Sequence, residues 1–283
     1  MTGGTGTRRF TSIASGGRRA NATLHRVLVS MAQTSRTARG RHRELAQRGL
    51  QVKATIAAIA SLFLASVPAG AQEWFSPGYF DNWAFSNQAA DMLRRSQKQI
   101  FRGNAGEALR RPQAPSRTAA PAVPPITRDQ VQRIAGRLAG GFPANERDKA
   151  SRIFVELYGK YGQLERQLGL RPGDPAGAAA ALIAASYMAH ADADLGEAEF
   201  GTLYSQLRVP VAAAQDAGFQ AVEAQVTMAI LAAYLAATRE ALKERPDPAR
   251  SAELRRAGGS YLRELLGVEP SKVRIGSAGL ELL

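Results

Sequence analysis

Residues 176–191 read AGAAAALIAASYMAHA, a run with no charged side chain before His190. A helix that is apolar nearly all round has no face to give to water and lies inside other helices. Asp174 is placed to cap it, and Pro175 falls at its first position, where a missing N–H costs nothing. The second such stretch runs from Phe219 to about Lys243, with Val222, Val226, Ile230 and Tyr234 on one face and Leu231, Leu235 and Leu242 widening it. Glu223 and Gln225 argue against its crossing a membrane. These two helices are predicted to lie side by side at the centre. The small Ala181, Ala184 and Ala185 allow close approach to Val226, Ile230 and Tyr234. Arg239 is expected near the solvent end, where its removal changes stability by no more than about 0.5 kcal/mol.

Working outward, the helical period continues on both sides. Thr127 caps a helix whose face is Val131, Ile134, Ala135 and Leu138, and Gly140-Gly141 ends it. Asn145 is the expected cap of a longer helix with the stripe Phe154, Leu157, Tyr158, Tyr161, Leu164 and Leu168, closed by Gly169. Glu197 to Leu207 forms a further helix, which Val209-Pro210 is expected to break before a short turn over 211–216. The last helix carries Leu254, Ala257, Tyr261 and Leu265. The tail, GVEPSKVRIGSAGLELL, reads as a short strand or an extended segment packed on the helices. Period-two alternation is otherwise too short to count. The fold class is therefore all-α: a bundle of about six helices after a cleaved signal peptide, with an extended C-terminal tail.

Towards the N-terminus the organisation changes. Residues 112–125 form a Pro/Ala linker, with five prolines across RPQAPSRTAAPAVPP (111–125). Residues 72–111 hold an aromatic-rich segment and a short helix, in which Ala90, Leu93, Gln97 and Ile100 share a face. Trp74, Phe75, Tyr79, Phe80 and Trp83 crowd into this segment. They are candidate partner-binding residues, because aromatics dominate binding hot spots and the linker gives them reach. The competing reading packs them back on the helices as a strap. Residues 126–283 make up the helical domain with its tail.

Residues 52–71 read as a signal peptide. Lys53 precedes ATIAAIASLFLASV (54–67), and Ala69 and Ala71 stand in A-x-A spacing before Gln72. As a helix the apolar run spans about 21 Å, short of the ~30 Å hydrocarbon core, which argues against an uncleaved anchor. Cleavage is expected between Ala71 and Gln72. Residues 1–51 form a disordered Arg-rich leader by composition, ten Arg against Glu44 alone. An n-region of that length is unusual. An over-extended reading frame with the start at Val52, or at Met31, is the alternative to a genuine long leader. Arg outnumbers Lys 31 to 6, a bias that fits a high-GC bacterial genome.

The formal net charge of +13 invites a nucleic-acid reading, but residues 72–283 hold 26 basic and 23 acidic residues, only +3. The basicity lies in the leader, so no nucleic-acid partner is expected. With no Cys, disulfides, thiolate metal sites and a Cys nucleophile are excluded. His190 is the single histidine after the signal segment, which excludes sites needing two.

Four segments carry a family resemblance. The small-residue helix Ala178–Ala189, Tyr234-Leu235-Ala236-Ala237, Tyr261-Leu262-Arg263-Glu264-Leu265-Leu266-Gly267-Val268 and Val273-Arg274-Ile275 resemble a bacterial exported helical family of unknown function, over about residues 150–280. The resemblance implies an exported helical domain and brings no activity or site residue.

The stretch His190 to Glu199 offers the most chemistry: His190, Asp192, Asp194, Glu197 and Glu199 are candidate metal ligands, since hard cations take clustered carboxylates. It fails the EF-hand pattern, because Gly196 falls at position 7 and Gly201 at position 12. It is similar to the acidic interhelix turn of tellurite-resistance-type helical domains, a resemblance that implies divalent ions. The structural alternative has Asp194 cap the next helix, with Glu197 and Glu199 complementing its positive end. A Ser186–His190 pair lacks the exposed turn of a nucleophile. Glu223 with Glu156 or Asp192 is a conceivable carboxylate pair. Walker A, G-x-G-x-x-G and H-E-x-x-H are missing, and Gly258-Gly259 is not followed by Lys-Ser/Thr.

No catalytic residue and no cofactor is assigned. The expected function is that of a non-enzymatic exported interaction or structural protein of the bacterial envelope. Its expected location is periplasmic or secreted, and its expected partner is another envelope or secreted protein. No transmembrane segment remains after cleavage. The second reading is a divalent-metal module at 190–199, and the third a carboxylate-based envelope hydrolase.

Overall fold

The computed structural model describes residues 87–101, 103–110, 125–216 and 221–283, all within one unit of the chain. The leader 1–51, the signal segment 52–71 with Ala69, Ala71 and Gln72, the aromatic residues Trp74 to Trp83 and nearly all of the linker lie outside the described residues. The described part is mostly helical. Its helices are α1 (Asn87–Ile100), α2 (Ala105–Arg110), α3 (Arg128–Ala139), α4 (Arg147–Gln167), α5 (Pro175–Ala191), α6 (Glu197–Asp216), α7 (Ala221–Glu244) and α8 (Pro248–Leu266). A 3₁₀ turn, Pro270–Lys272, leads into the strands β1 (Val273–Gly276) and β2 (Gly279–Leu282).

α5 is central. Every residue from Pro175 to Ser186 is buried, and the helix packs along α7 and α8 with further contact to α6. On α7, Val226 and Met228 to Leu231 are fully buried. Both expectations for the start of α5 hold: the Asp174 carboxylate accepts from the Ala176 N–H at 2.9 Å, and Pro175 opens the helix. α8 repeats the device with Asp247 and Pro248. Thr127 and Gln130 cap α3 reciprocally.

Glycines make a close approach of α8 to α5 possible. A Cβ on Gly258 of α8 would lie 2.5 Å from the Ser186 carbonyl oxygen and 3.0 Å from the Ala189 Cβ on α5. One on Gly259 would lie 2.9 Å from the His190 Nδ1. The Gly-Gly pair is thus a crossing point between helices, where backbone meets backbone without a side chain between them.

Two local expectations are corrected, and that of a short strand in the tail is borne out and extended. α6 does not break at Pro210 but runs on to Asp216. The proline removes an N–H that would have met the Gln206 carbonyl, a loss that usually costs about 3 kcal/mol. Here Pro210, Val211 and Ala214 are buried in continuation of the Leu203 and Leu207 face, and that burial offsets the loss. Asn145 does not cap α4. The helix starts from Glu146 without a side-chain cap, because a turn closed by Glu146 N–H on the Pro143 carbonyl (2.8 Å) takes its place. The tail forms an antiparallel hairpin, pairing Val273 with Leu282 and Ile275 with Leu280. Gln206 of α6 holds its turn, accepting from the Leu280 N–H at 2.7 Å and donating to the Ala278 carbonyl at 3.3 Å.

α1 packs chiefly on α8 and also touches α6 and α7. Leu93, Ile100 and Phe101 enter the same core as α5. No helix among the described residues is long and apolar enough to cross a membrane.

Candidate functional site

The acidic turn between α5 and α6 was the strongest chemical signal in the sequence. His190 sits in the last turn of α5, where its Nδ1 lies 3.3 Å from the Arg255 carbonyl of α8. A carbonyl only accepts, so this ring nitrogen carries the proton in that contact. Asp192 ends α5 in the left-handed region, with φ 51°. Leu195 turns inward and is buried. Glu197 and Glu199 stand in the first turn of α6, near its positive end.

Asp194 faces α7 instead of capping α6. Its carboxylate accepts from Arg239 at 2.7 Å and from Lys243 at 3.2 Å. The hydrogen bond from Arg239 is the main reason its carboxyl is held below the ordinary range. Arg239 also lies 3.8 Å from Asp192 and 3.8 Å from Glu240, and Lys243 reaches Glu240 at 2.9 Å. Asp192 and Asp194 are therefore paired with cations of α7, while Glu197 and Glu199 stay at the start of α6. Among the described residues, no three His, Asp or Glu side chains converge in an arrangement able to hold a metal ion.

The expectation for Arg239 is overturned here. Its side chain is only 10% exposed. The aliphatic stem is covered while the guanidinium meets the carboxylates of the turn, so the residue is an anchor and not a solvent-side neutral position.

Ser186 and His190 do not form a pair. Ser186 is buried among the alanines with an unpartnered hydroxyl, and His190 is turned to α8. Glu223, in the first turn of α7, is bound to Arg137 of α3 at 3.1 Å. Asp192 lies by Arg239, sixteen residues further along the same helix or about 24 Å of axis away, so Glu223 and Asp192 cannot act together. Glu156 is exposed on α4.

Among the described residues two carboxylates are buried, Asp174 at its cap and Glu165, and the burial of Glu165 is not evident from the sequence. Glu165, in the last turn of α4, is 4% exposed. The Gly173 N–H donates to both of its oxygens, at 3.2 and 3.4 Å. Burial pushes its carboxyl up; hydrogen bonds from the Gly173 and Asp174 backbone pull the other way without cancelling it. Tyr161, one turn earlier, lies beside this carboxylate and is 1% exposed; burial, then the Glu165 charge, pushes its hydroxyl well above the ordinary range. Burial, then the Glu165 charge, pushes Tyr158 up to about 12.

The turn from α4 to α5 continues the cluster. Asp174 accepts from the Tyr204 hydroxyl of α6 at 2.6 Å on the oxygen not used for capping, and Arg171 approaches that oxygen to 3.5 Å. Gln225 of α7 is fully buried with both amide atoms unpartnered. One signal pointed to Glu165: it falls four residues after Tyr161 and seven after Tyr158, on the stripe that α4 buries. Chemically the cluster can hold a proton on a shielded carboxylate and tie α4, α5 and α6 together at one end.

Residues 50–283 match DUF6683, a family of unknown function, and the chain belongs to that family. No curated protein and no solved structure matches the chain.

Proposed function

We propose that this member of the family is an exported helical bundle of the bacterial envelope that works by binding another protein and not by chemistry. Export is supported by the sequence from Lys53 to Gln72, where a short apolar run is followed by small residues in A-x-A spacing. The family match begins at residue 50, two positions before Val52, which supports a start at Val52 and a dispensable leader. The observation that carries the binding reading is how the charged side chains are used. Asp194 and Asp174 fasten interhelix turns to α7 and α6 through Arg239 and Tyr204, and Glu223 joins α7 to α3 through Arg137. Groups so engaged hold a scaffold together and are not poised for turnover. The aromatic segment Trp74 to Trp83 is the surface assigned to the partner, since large rigid side chains carry most interface energy.

The test has two parts. Intact mass of the exported protein should correspond to a chain beginning at Gln72; a mature form that keeps Leu62 to Ala65 would refute export by cleavage. Cross-linking in intact envelopes should give one discrete adduct with the wild type and none with the Trp74→Ala/Trp83→Ala double variant. An adduct unchanged in the double variant would remove the partner role from the aromatic segment.

A further inference from the structure

We propose that the outer face of the α3–α4 hairpin is a docking surface for an anionic lipid bilayer, held there by charge. The charges of the chain divide by segment. Residues 126–171, which form the hairpin and the turn after it, hold nine basic and five acidic side chains, and one of those acids, Glu165, is buried. Residues 172–283 hold ten basic and fourteen acidic side chains, the opposite balance. One helical hairpin is therefore cationic, although residues 72–283 together carry only +3.

The helical period gathers this charge on the outside. α4 turns Ala150, Phe154, Leu157 and Tyr161 inward, and it packs on α3 and α7. Lys149, Arg152, Lys160 and Arg166 fall on the opposite side, with Glu156 as the acid among them. From Lys149 to Arg166 the row extends over about 25 Å of helix axis. Arg133, exposed on α3, adds to the charge of the hairpin. Arg137 and Arg171 are engaged, with Glu223 and Asp174, whereas Arg133, Arg152 and Arg166 form no ion pair among the described residues.

The character of the face selects the occupant. Protein interfaces gather their energy in a dehydrated centre of aromatic and apolar anchors, where lysine is depleted. This face has no such centre: the large apolar side chains exposed among the described residues are Val209 of α6 and Leu283 at the C-terminus. An anionic bilayer asks for less. Its charge is spread over a plane, and each basic side chain brought near it adds an increment of binding without a fitted pocket. A row of basic side chains along one helix suits such a plane. The contact is peripheral, since no helix among the described residues is long and apolar enough to cross a membrane. Binding of this kind needs neither the aromatic segment nor signal cleavage.

The experiment is co-sedimentation of the full chain with vesicles of phosphatidylcholine alone and of phosphatidylcholine mixed with phosphatidylglycerol. Two variants carry the same change in net charge: Arg152→Glu/Arg166→Glu on α4, and Arg255→Glu/Arg256→Glu at exposed positions of α8. The Arg-rich leader is common to all three proteins and cancels in the comparison. The expected result is binding to the anionic vesicles only, weakened by added salt and at least about tenfold weaker in the α4 variant. The α8 variant should stay within about threefold of wild type. Equal loss in both variants would reduce the effect to net charge and overturn the proposal, as would no loss in either. Retention on immobilised polyglutamate, lost in the α4 variant and without vesicle binding, would give the face to an acidic protein instead. Should the α4 reversal fail to fold, Arg152→Gln/Arg166→Gln against Arg255→Gln/Arg256→Gln carries the same comparison, with the same order expected.

Discussion

The Arg239 guanidinium on α7 donates to the Asp194 carboxylate at 2.7 Å, across 45 residues of sequence. This contact clamps the α5–α6 turn onto the helix that fills the core. Its two ends differ in surroundings: the Arg239 side chain is 10% exposed and that of Asp194 66%. Removing Arg239 uncovers packing and leaves Lys243 as the one remaining cation beside Asp194 and Glu240, whereas removing Asp194 takes away only a well-solvated partner.

Arg239→Ala should therefore cost about 1–3 kcal/mol, and Asp194→Asn less than about 1 kcal/mol, because exposed charges contribute little. Denaturant midpoints of the two variants check this. Equal small shifts would place Arg239 outside the packed structure.

Acid and base act on the two ends of the molecule in opposite senses. The folded-state pKa of Asp194 is depressed, so its contribution is present above the ordinary 3.8 and is lost as pH falls through the folded value. That of Glu165 is raised, so its contribution is full below the ordinary 4.5 and is lost as pH rises through the folded value. The groups facing Glu165 are Tyr158 and Tyr161 on its own helix and Asp174 in the turn. Glu165→Gln should gain on wild type steadily as pH rises from below 4.5 towards neutrality. Melting temperature against pH for both proteins is the measurement. A constant offset would mean that Glu165 does not titrate differently on folding.

Gly258→Ala should destabilise although alanine is the better helix former. The added methyl would meet the Ser186 carbonyl at 2.5 Å, backbone that cannot step aside. Overpacking of this kind costs about 1–3 kcal/mol, more than the ~1 kcal/mol gained from propensity. Gly136, with nothing within 4 Å of a built Cβ, is the control and should gain stability as alanine. A gain at both positions would show that α8 stands further from α5 than described.

What the sequence reveals follows the range of the forces involved. The caps at Thr127, Asp174 and Asp247 are local chemistry and can be read within four residues, although Asp247 was not singled out. α5 and α7 are legible because burial on every side leaves no polar face. Pro210 misleads because its local cost is outweighed by the burial of Val211 and Ala214, which only the tertiary core supplies. Arg239 misleads because Asp194 lies in a distant segment, so a charge near a helix end looks solvated. Glu165 lies on the apolar stripe of α4, yet a lone Glu at a helix end is normally a surface residue. Glu165 is held inside by hydrogen bonds from the 173–174 backbone, eight residues further along the chain.

The most direct test of the central claim, that α5 and α7 form the heart of one helical core, is a denaturant melt of three variants in the chain from Gln72 onward. Ile230→Ala, at a fully buried position, should cost about 2–5 kcal/mol, and Ala184→Leu about 1–3 kcal/mol by overpacking. Val209→Ala, at a position 42% exposed, should stay within about 0.5 kcal/mol. Equal midpoint shifts for Ile230→Ala and Val209→Ala would contradict the architecture.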